Sequence, residues 1–315
     1  MSALPAAGHS LASQVCAVVV TWHPDPTALR DLLQAVLPQV GHVLVVDNAT
    51  PGEALPLLTA ALPGCTLLRN RENRGVAAAV NQGAVWARAR GARFLLCLDQ
   101  DSLPAADMVE RLLAAWQALS ARHRVGAVGP QFLDLNNDRP APFVRIGFPF
   151  NRKLPARDGQ PVEADFLITS GCLIPLEVLE ATGPMDEALF IDNVDVEWSF
   201  RARRHGYRLY GVPTACMRHR IGDHARRLGW GLGEVVVHSP SRLYYMMRNR
   251  LLLYRRRATP RVWILQDVPR LALKLLRLGL FVPPRLANSR AMLLGIVDGL
   301  RGVSGPAPRR IHAGR

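Results

Sequence analysis

The feature that most restricts this chain is an alternation. Four short apolar runs, VCAVVVTW (15–22), HVLVVDN (42–48), CTLLRN (65–70) and RFLLCLDQD (93–101), are separated by stretches with helical spacing. The first stretch carries Leu29, Leu32, Leu33, Val36 and Leu37; the second spans 52–61; the third is Ala-rich and runs from Gly75 through Arg90. Short runs of consecutive apolar residues suit strands buried on both faces, the habit of parallel strands covered by helices. Strands alternating with helices predict βαβ units and an α/β architecture. Pro104 falls where the next helix is expected to begin, a position that tolerates a missing amide.

Right-handed crossovers bring the C-terminal ends of such strands to one edge. Thr21, Asp47, Asn48, Asn73 and Asp99 are therefore expected to gather there, and ligands of open α/β sheets bind at that edge. An Asp at a strand end, such as Asp47, can accept hydrogen bonds from a ribose or a base imide. The stronger signal is Asp99-Gln100-Asp101, two like charges one residue apart at the end of a run fit for burial. Such a pair repels unless a cation or a polar ligand offsets it. Carboxylate oxygens are the ligands that Mg²⁺ or Mn²⁺ prefers, completed by substrate phosphates and water. No GxGxxG follows the first strand and no GxxxxGK[ST] occurs, which argues against a dinucleotide oxidoreductase and a P-loop nucleotidase.

Past Pro130 the pattern loosens into a loop-rich stretch. FLITSGCLIP (166–175) then reads as a further buried strand, and FIDNVDVEWSFRARRHGY (190–207) as a helix with acids on its first turns. The net charge of +14 is carried unevenly. Residues 201–315 hold 24 Lys and Arg against Asp223, Glu234, Asp267 and Asp298, whereas the first 200 residues hold 15 basic and 21 acidic side chains. A basic tail on a slightly acidic front half points to an anionic surface or a phosphorylated ligand. Within that tail, residues 261–282 are interrupted too often by charge and by Pro269 to span a bilayer. Arg270, Lys274 and Arg277 fall on one stripe among leucines, the makeup of a helix lying on an anionic membrane surface. Residues 242–257 are also basic, but no nucleic-acid-binding motif accompanies them, so no nucleic-acid partner is expected. The five cysteines form no CxxC pair and mostly sit in apolar stretches, as buried thiols of a reducing compartment do. The opening MSALPAAGHSLASQ has no basic region followed by a long apolar core, so no secretory signal is expected. The expected location is the cytoplasm, peripheral on the inner face of the cell membrane.

Taken together, VVVTWHP, VVDN, NRENRGVAAAVNQG (70–83), LDQDS (98–102), ITSGCLI (168–174) and LFIDNVDVEWSFRARRHGY (189–207) resemble the family-2 glycosyltransferases over roughly residues 15–250. Within that family, LDQDS with FIDNVDVEW is most similar to the bacterial rhamnosyltransferases that use dTDP-L-rhamnose. The resemblance implies a GT-A nucleotide-diphospho-sugar transferase fold, Rossmann-like with a mostly parallel sheet, followed by a basic, helical C-terminal extension. It divides the chain into an N-terminal tail (1–14), a catalytic domain (15–240) and the extension (241–315). It further implies that Thr21 and Asp47 contact the nucleoside and that Asn73 and Gly75 border the nucleotide pocket. Asp99 and Asp101 take the ribose and metal positions, and His219 completes the metal or diphosphate site.

Many relatives carry Glu-Asp followed by a second Asp two residues later. Here the stretch reads Asp192-Asn193-Val194-Asp195, which leaves an amide where the base usually stands. The base then falls to Asp192 as first choice or to Asp195, because an acceptor hydroxyl needs a carboxylate within reach. Glu197 and Arg201, four residues apart, read as a helix-stabilising pair. The implied activity is an inverting transfer of L-rhamnose from dTDP-L-rhamnose, with Mg²⁺ or Mn²⁺ as cofactor. The implied acceptor is a hydroxyl of a cell-surface polysaccharide or of a lipid-linked glycan precursor. A galactofuranosyl or glucosyl nucleotide is the alternative donor, and an inactive, basic nucleic-acid-binding relative is the third reading.

Overall fold

The computed structural model describes residues 10–134, 140–155, 159–219, 224–227 and 234–308. The front half runs β1 (Val15–Thr21), α1 (Pro26–Val36), β2 (His42–Asp47), α2 (Ala54–Ala60), β3 (Cys65–Arg69), α3 (Gly75–Arg88), β4 (Phe94–Asp99), β5 (Ser102–Pro104), α4 (Met108–Ser120) and β6 (Val125–Asp134). Then follow β7 (Phe143–Arg145), β8 (Arg152–Leu154), β9 (Val162–Ala164), β10 (Leu173–Pro175), α5 (Leu176–Thr182), α6 (Val194–Arg204) and β11 (Arg208–His219). The chain continues through β12 (His224–Arg227), β13 (Glu234–Val237), α7 (Pro240–Tyr254), α8 (Arg261–Phe281) and α9 (Arg285–Arg301).

The main sheet has the order β3-β2-β1-β4-β10-β6-β11-β5, with β9 also paired to β11. Strands β1 to β4 are parallel, whereas β10 runs antiparallel to both β4 and β6. Strand β11 is parallel to β6 and antiparallel to β5 and β9. The sheet is thus parallel in its front half and mixed behind. Pairs β7-β8 and β12-β13 stand apart from it.

Burial on both faces explains the unbroken apolar runs. Cys16 and Val18 of β1 join one core cluster, together with Leu44, Leu95 and the alanines of α3. Val15, Ala17 and Val19 join a second cluster with Leu29, Leu32, Leu33 and Leu112. Successive residues of a strand point to opposite faces, so β1 divides its side chains between two helix layers. Each large apolar side chain so enclosed contributes about 1.5–3 kcal/mol relative to exposure.

Three sequence expectations change in the fold. Pro104 lies in β5, and the following helix begins at Met108 rather than beside it. Only Leu173–Pro175 of the expected 166–175 strand pairs as a strand. Upstream, Gly171 turns to φ +72 and lies against Pro130, where an added Cβ would come 2.5 Å from Pro130 Cγ. There the Gly171 amide donates to the Cys97 carbonyl at 2.7 Å, and Cys97 N–H donates to the Cys172 carbonyl at 3.0 Å. The expected 190–207 helix starts only at Val194, because Phe190, Asp192 and Asn193 all adopt positive φ.

That break positions the end of the chain against the front half. The Phe190 carbonyl accepts from Val76 N–H at 2.8 Å, joining the loop to the first turn of α3. Gly75 sits beside it at φ +83, and a Cβ there would lie 2.4 Å from the Phe190 carbonyl oxygen. A side chain at this position would meet both backbone strain and a fixed carbonyl. Gly75→Ala should therefore lower stability by about 1–3 kcal/mol, read as a fall in the urea midpoint at unchanged slope.

Candidate active site

The ends of β1, β2 and β4 lie side by side, with Thr21 opposite Asp47 and Val20 opposite Asp99. Thr21 and Asp47 are fully buried. Asp47 Oδ1 accepts from Thr21 Oγ1 at 2.9 Å and from Thr50 Oγ1 at 2.6 Å, while Oδ2 accepts from Thr50 N–H at 2.9 Å. A buried carboxylate needs such donors. Thr50 is a partner that the sequence reading missed, because it lies in a turn with no periodic signal.

Next to it, an amide network holds the entry to α3. Asn48 Oδ1 accepts from Arg74 N–H at 3.2 Å and from Asn70 Nδ2 at 3.0 Å, and Asn48 Nδ2 donates to the Gly75 carbonyl at 3.3 Å. Asn73 Oδ1 accepts from Gly75 N–H at 2.9 Å. Asn73 and Gly75 thereby form one turn that borders the edge where Thr21 and Asp47 end.

The two acids of the DxD occupy different settings. Asp99 is half-buried at the end of β4, and its backbone N–H donates to Ser170 Oγ at 3.0 Å. Ser170 Oγ in turn shares a hydrogen bond with Ser102 Oγ at 2.7 Å. Asp101 is exposed in the turn that follows. Strand β5 then pairs with β11 so that His219 stands opposite Ser102, one residue from Asp101. The His219 side chain lies outside the described residues. Among the described residues no three His, Cys, Asp or Glu side chains converge into a closed cage. An open pair of hard carboxylates still suits Mg²⁺ or Mn²⁺, which keep several water and phosphate ligands.

Asp192 and Asp195 flank the start of α6. The Asp195 carboxyl is pushed up to about 6, first by burial and further by the negative charges of Asp192 and Asp99. Asp192 is also raised by burial, but Arg242 opposes the shift, with Arg242 Nε donating to Asp192 Oδ1 at 3.3 Å. Glu197 and Arg201 do pair, with Arg201 Nη2 donating to Glu197 Oε2 at 2.7 Å. The same guanidinium also donates to the carbonyls of Thr182, Gly183 and Pro184, which ties α6 to the end of α5.

The 188–192 loop is held from α7 by two fully buried polar side chains, Arg248 and Asn249. Asn249 Nδ2 donates to the carbonyls of Leu189 at 2.8 Å, Ile191 at 2.6 Å and Asp192 at 2.9 Å. Arg248 Nη2 donates to the Leu189 carbonyl at 3.2 Å, and Arg248 Nε to Asn249 Oδ1 at 3.0 Å. The Phe190 ring stacks on Tyr245 with centroids 5.1 Å apart. The sequence carries a trace of this arrangement. Tyr244, Arg248 and Leu252 are spaced by four, so Arg248 shares a helical stripe with residues fit for burial.

A sheet with parallel front strands whose ends carry Asp47, Asp99 and Asp101, with Asp192 and Asp195 at the start of a later helix, is a GT-A-like arrangement. The chain belongs to glycosyl transferase family 2, whose family model matches residues 16–182. It is 30% identical over 298 residues to the dTDP-rhamnosyl transferase RfbF of Shigella flexneri, covering 93% of this chain and 97% of that protein. It is 28% identical over 272 residues to the galactofuranosyltransferase GlfT1 of Mycolicibacterium smegmatis, covering 79% of this chain and 87% of the relative. The crystal structure of GalNAc-T7 with UDP, GalNAc and Mn²⁺ shares the fold at a TM-score of 0.56 and 16% identity. That match takes in 74% of this chain but spans only 47% of the length of GalNAc-T7.

The clamp makes its own prediction. Asn249→Ala leaves the Ile191 and Asp192 carbonyls without their side-chain donor and Leu189 with Arg248 alone, which should cost about 1–3 kcal/mol of stability. Turnover should also fall, because the loop leading into α6 is no longer fixed. Thermal melts and steady-state kinetics read the two effects.

Proposed function

We propose that this chain transfers L-rhamnose from dTDP-L-rhamnose to a hydroxyl of a glycan or of a lipid-linked glycan precursor, with inversion. The observation that carries the donor is the 30% identity to a dTDP-rhamnosyl transferase over 93% of the chain. The resemblance to a galactofuranosyltransferase is lower and covers less of the chain, so that donor stands second.

In this reading Thr21, Asp47, Asn73 and Gly75 receive the nucleoside, and Asp99 the ribose. Asp195 rather than Asp192 is the base. Its carboxyl, raised to about 6, is ionised at neutral pH yet basic enough to take a proton from the acceptor hydroxyl. Asp192 is ion-paired to Arg242, which suits it to holding the acceptor. Asp101, with Asp99 and His219, would hold the cation that the donor set suits. When bound, Mg²⁺ or Mn²⁺ would supply positive charge beside the departing diphosphate. The Mn²⁺ and UDP in the GalNAc-T7 structure support that part of the reading.

Asp195→Asn should lower kcat by ~10²–10⁴-fold, measured as dTDP release from dTDP-L-rhamnose. Asp192→Asn should cost less than that. A base must be deprotonated to act, so kcat/KM of the parent should fall as pH drops below about 6. Release of UDP from UDP-galactofuranose at a higher rate than dTDP from dTDP-L-rhamnose would reverse the choice of donor.

The same reading places the protein on the cytoplasmic face of an anionic membrane, though not through the stripe expected from sequence. Lys274 and Arg277 are half-buried, with Lys274 Nζ 3.6 Å from Met246 Sδ, and only Arg270 of the three is exposed. What α8 turns outward is apolar: Leu265, Leu273, Leu276 and Leu280 are all more than half exposed. Leu286, Leu293, Val297 and Leu300 form a similar exposed stripe on α9. Exposed Arg261, Arg270, Arg285 and Arg290 flank these stripes. Among the described residues no helix is long and apolar enough to cross a membrane. Apolar stripes edged by arginine suit the boundary of an anionic bilayer. Replacing Leu273, Leu276 and Leu280 together with Ser should release the protein from anionic vesicles in co-sedimentation, since each apolar side chain inserted contributes about 1.5–3 kcal/mol. Unchanged binding by that variant would remove the stripe from the contact, and absent binding by the parent would remove the membrane assignment.

A further inference from the structure

Facing stripes of α7 and α8 gather charge beside Asp192. Arg242, Met246 and Arg250 are spaced by four along α7, so they share one face of it. Asp267 and Lys274, two turns apart on α8, meet that face. Arg242 pairs with Asp192 and Arg250 with Asp267, whose other oxygen accepts from Tyr254 Oη at 2.7 Å. Lys274 has no such partner: among the described residues its ammonium makes one hydrogen bond, to the Met246 thioether at 3.6 Å. Arg250 Nε is likewise buried without an acceptor. Among the described residues three cations thus face two carboxylates; Asp192 Oδ2 is also buried without a partner, but the balance of charge is positive, and Lys274 and Arg250 are half-buried.

A partly buried ammonium that donates to no anion is costly. Burial and the neighbouring Arg250 and Arg242 outweigh the attraction of Asp192 and Asp267 and pull Lys274 down to about 8, which leaves it mostly charged at neutral pH. Surplus donors and surplus positive charge call for a ligand that only accepts hydrogen bonds and carries negative charge, as phosphate does. The cluster's position says which reactant brings it. Arg242 touches Asp192 directly, the carboxylate that the proposed function gives to holding the acceptor.

We propose that Arg242, Arg250 and Lys274 form a subsite for a phosphate or diphosphate carried by the acceptor, such as the group that joins a lipid-linked glycan to its lipid. This rests on the transferase reading, in which Asp195 and Asp192 face the acceptor. The donor's own diphosphate shares the chemistry and is the competing source.

The test is calorimetric titration of inorganic pyrophosphate into the full chain in EDTA, alone and with dTDP at saturation. Pyrophosphate should bind in both conditions. Lys274→Met should weaken it about tenfold or more, while its melting temperature equals or exceeds the parent's because an unpaired ammonium is gone. Absent binding, unchanged affinity in Lys274→Met, or displacement by dTDP would each overturn the acceptor subsite, the last by assigning the cluster to the donor. A separate titration of dTDP in Mg²⁺ or Mn²⁺ without EDTA tests the donor reading. If dTDP fails to bind while pyrophosphate still depends on Lys274, the donor reading falls and the phosphate subsite stands.

Discussion

The loop from Ala188 to Asn193 is the joint on which this site depends. Phe190 closes a three-residue turn at φ 64° and ψ −65°, with Ile191 N–H donating to the Leu189 carbonyl at 2.8 Å. Asp192 and Asn193 follow at φ 62° and 63°. Such backbone positions cost about 1–3 kcal/mol each for residues other than Gly and persist only where the surroundings fix them. Here Asn249, Arg248, Tyr245 and the amide of Val76 all hold the loop. The strain has a geometric effect: it delays α6 until Val194, so that Asp192 and Asp195 lie on either side of the helix start. A helix running on from Phe190 would put both carboxylates on its barrel, three residues apart.

The same joint unites the two ends of the chain. The α3 N-terminus borders the sheet edge where Thr21 and Asp47 end, and α7 opens the C-terminal helices. Through Phe190 and Asn249 each touches the loop that carries Asp192 and leads into Asp195. The C-terminal helices thus act as more than a basic appendage. Their inner face brings cations to Asp192 and their outer face is apolar. Tyr244 Oη donates to Asp298 Oδ2 at 2.8 Å, which fastens α9 to α7.

What the sequence made legible was what local periodicity and strand ends encode. Strands β1 to β4 stood out because each is apolar on consecutive residues. Thr21, Asp47 and Asp99 could be placed at one edge because parallel topology leaves little choice. The break at Phe190 was not legible, since aromatic and Asp residues give no local warning of positive φ when distant hydrogen bonds impose it. The direction of Lys274 was hidden for a related reason. A helical stripe names a face, but only the packing of α7 decides whether that face meets solvent, lipid or protein. Asn249 carried no signal by itself, because its three acceptors lie some 60 residues upstream.

The central claim is that Asn249 works by placing the Asp192–Asp195 segment rather than by stabilising the fold alone. A double-mutant cycle on kcat tests it, using Asn249→Ala, Asp195→Asn and the pair, at a temperature where all remain folded. If the clamp acts through the base, its loss should matter little once the base is gone, and the pair should be close to Asp195→Asn alone. Losses that multiply, with the pair slower than Asp195→Asn by the full factor of Asn249→Ala, would contradict the account.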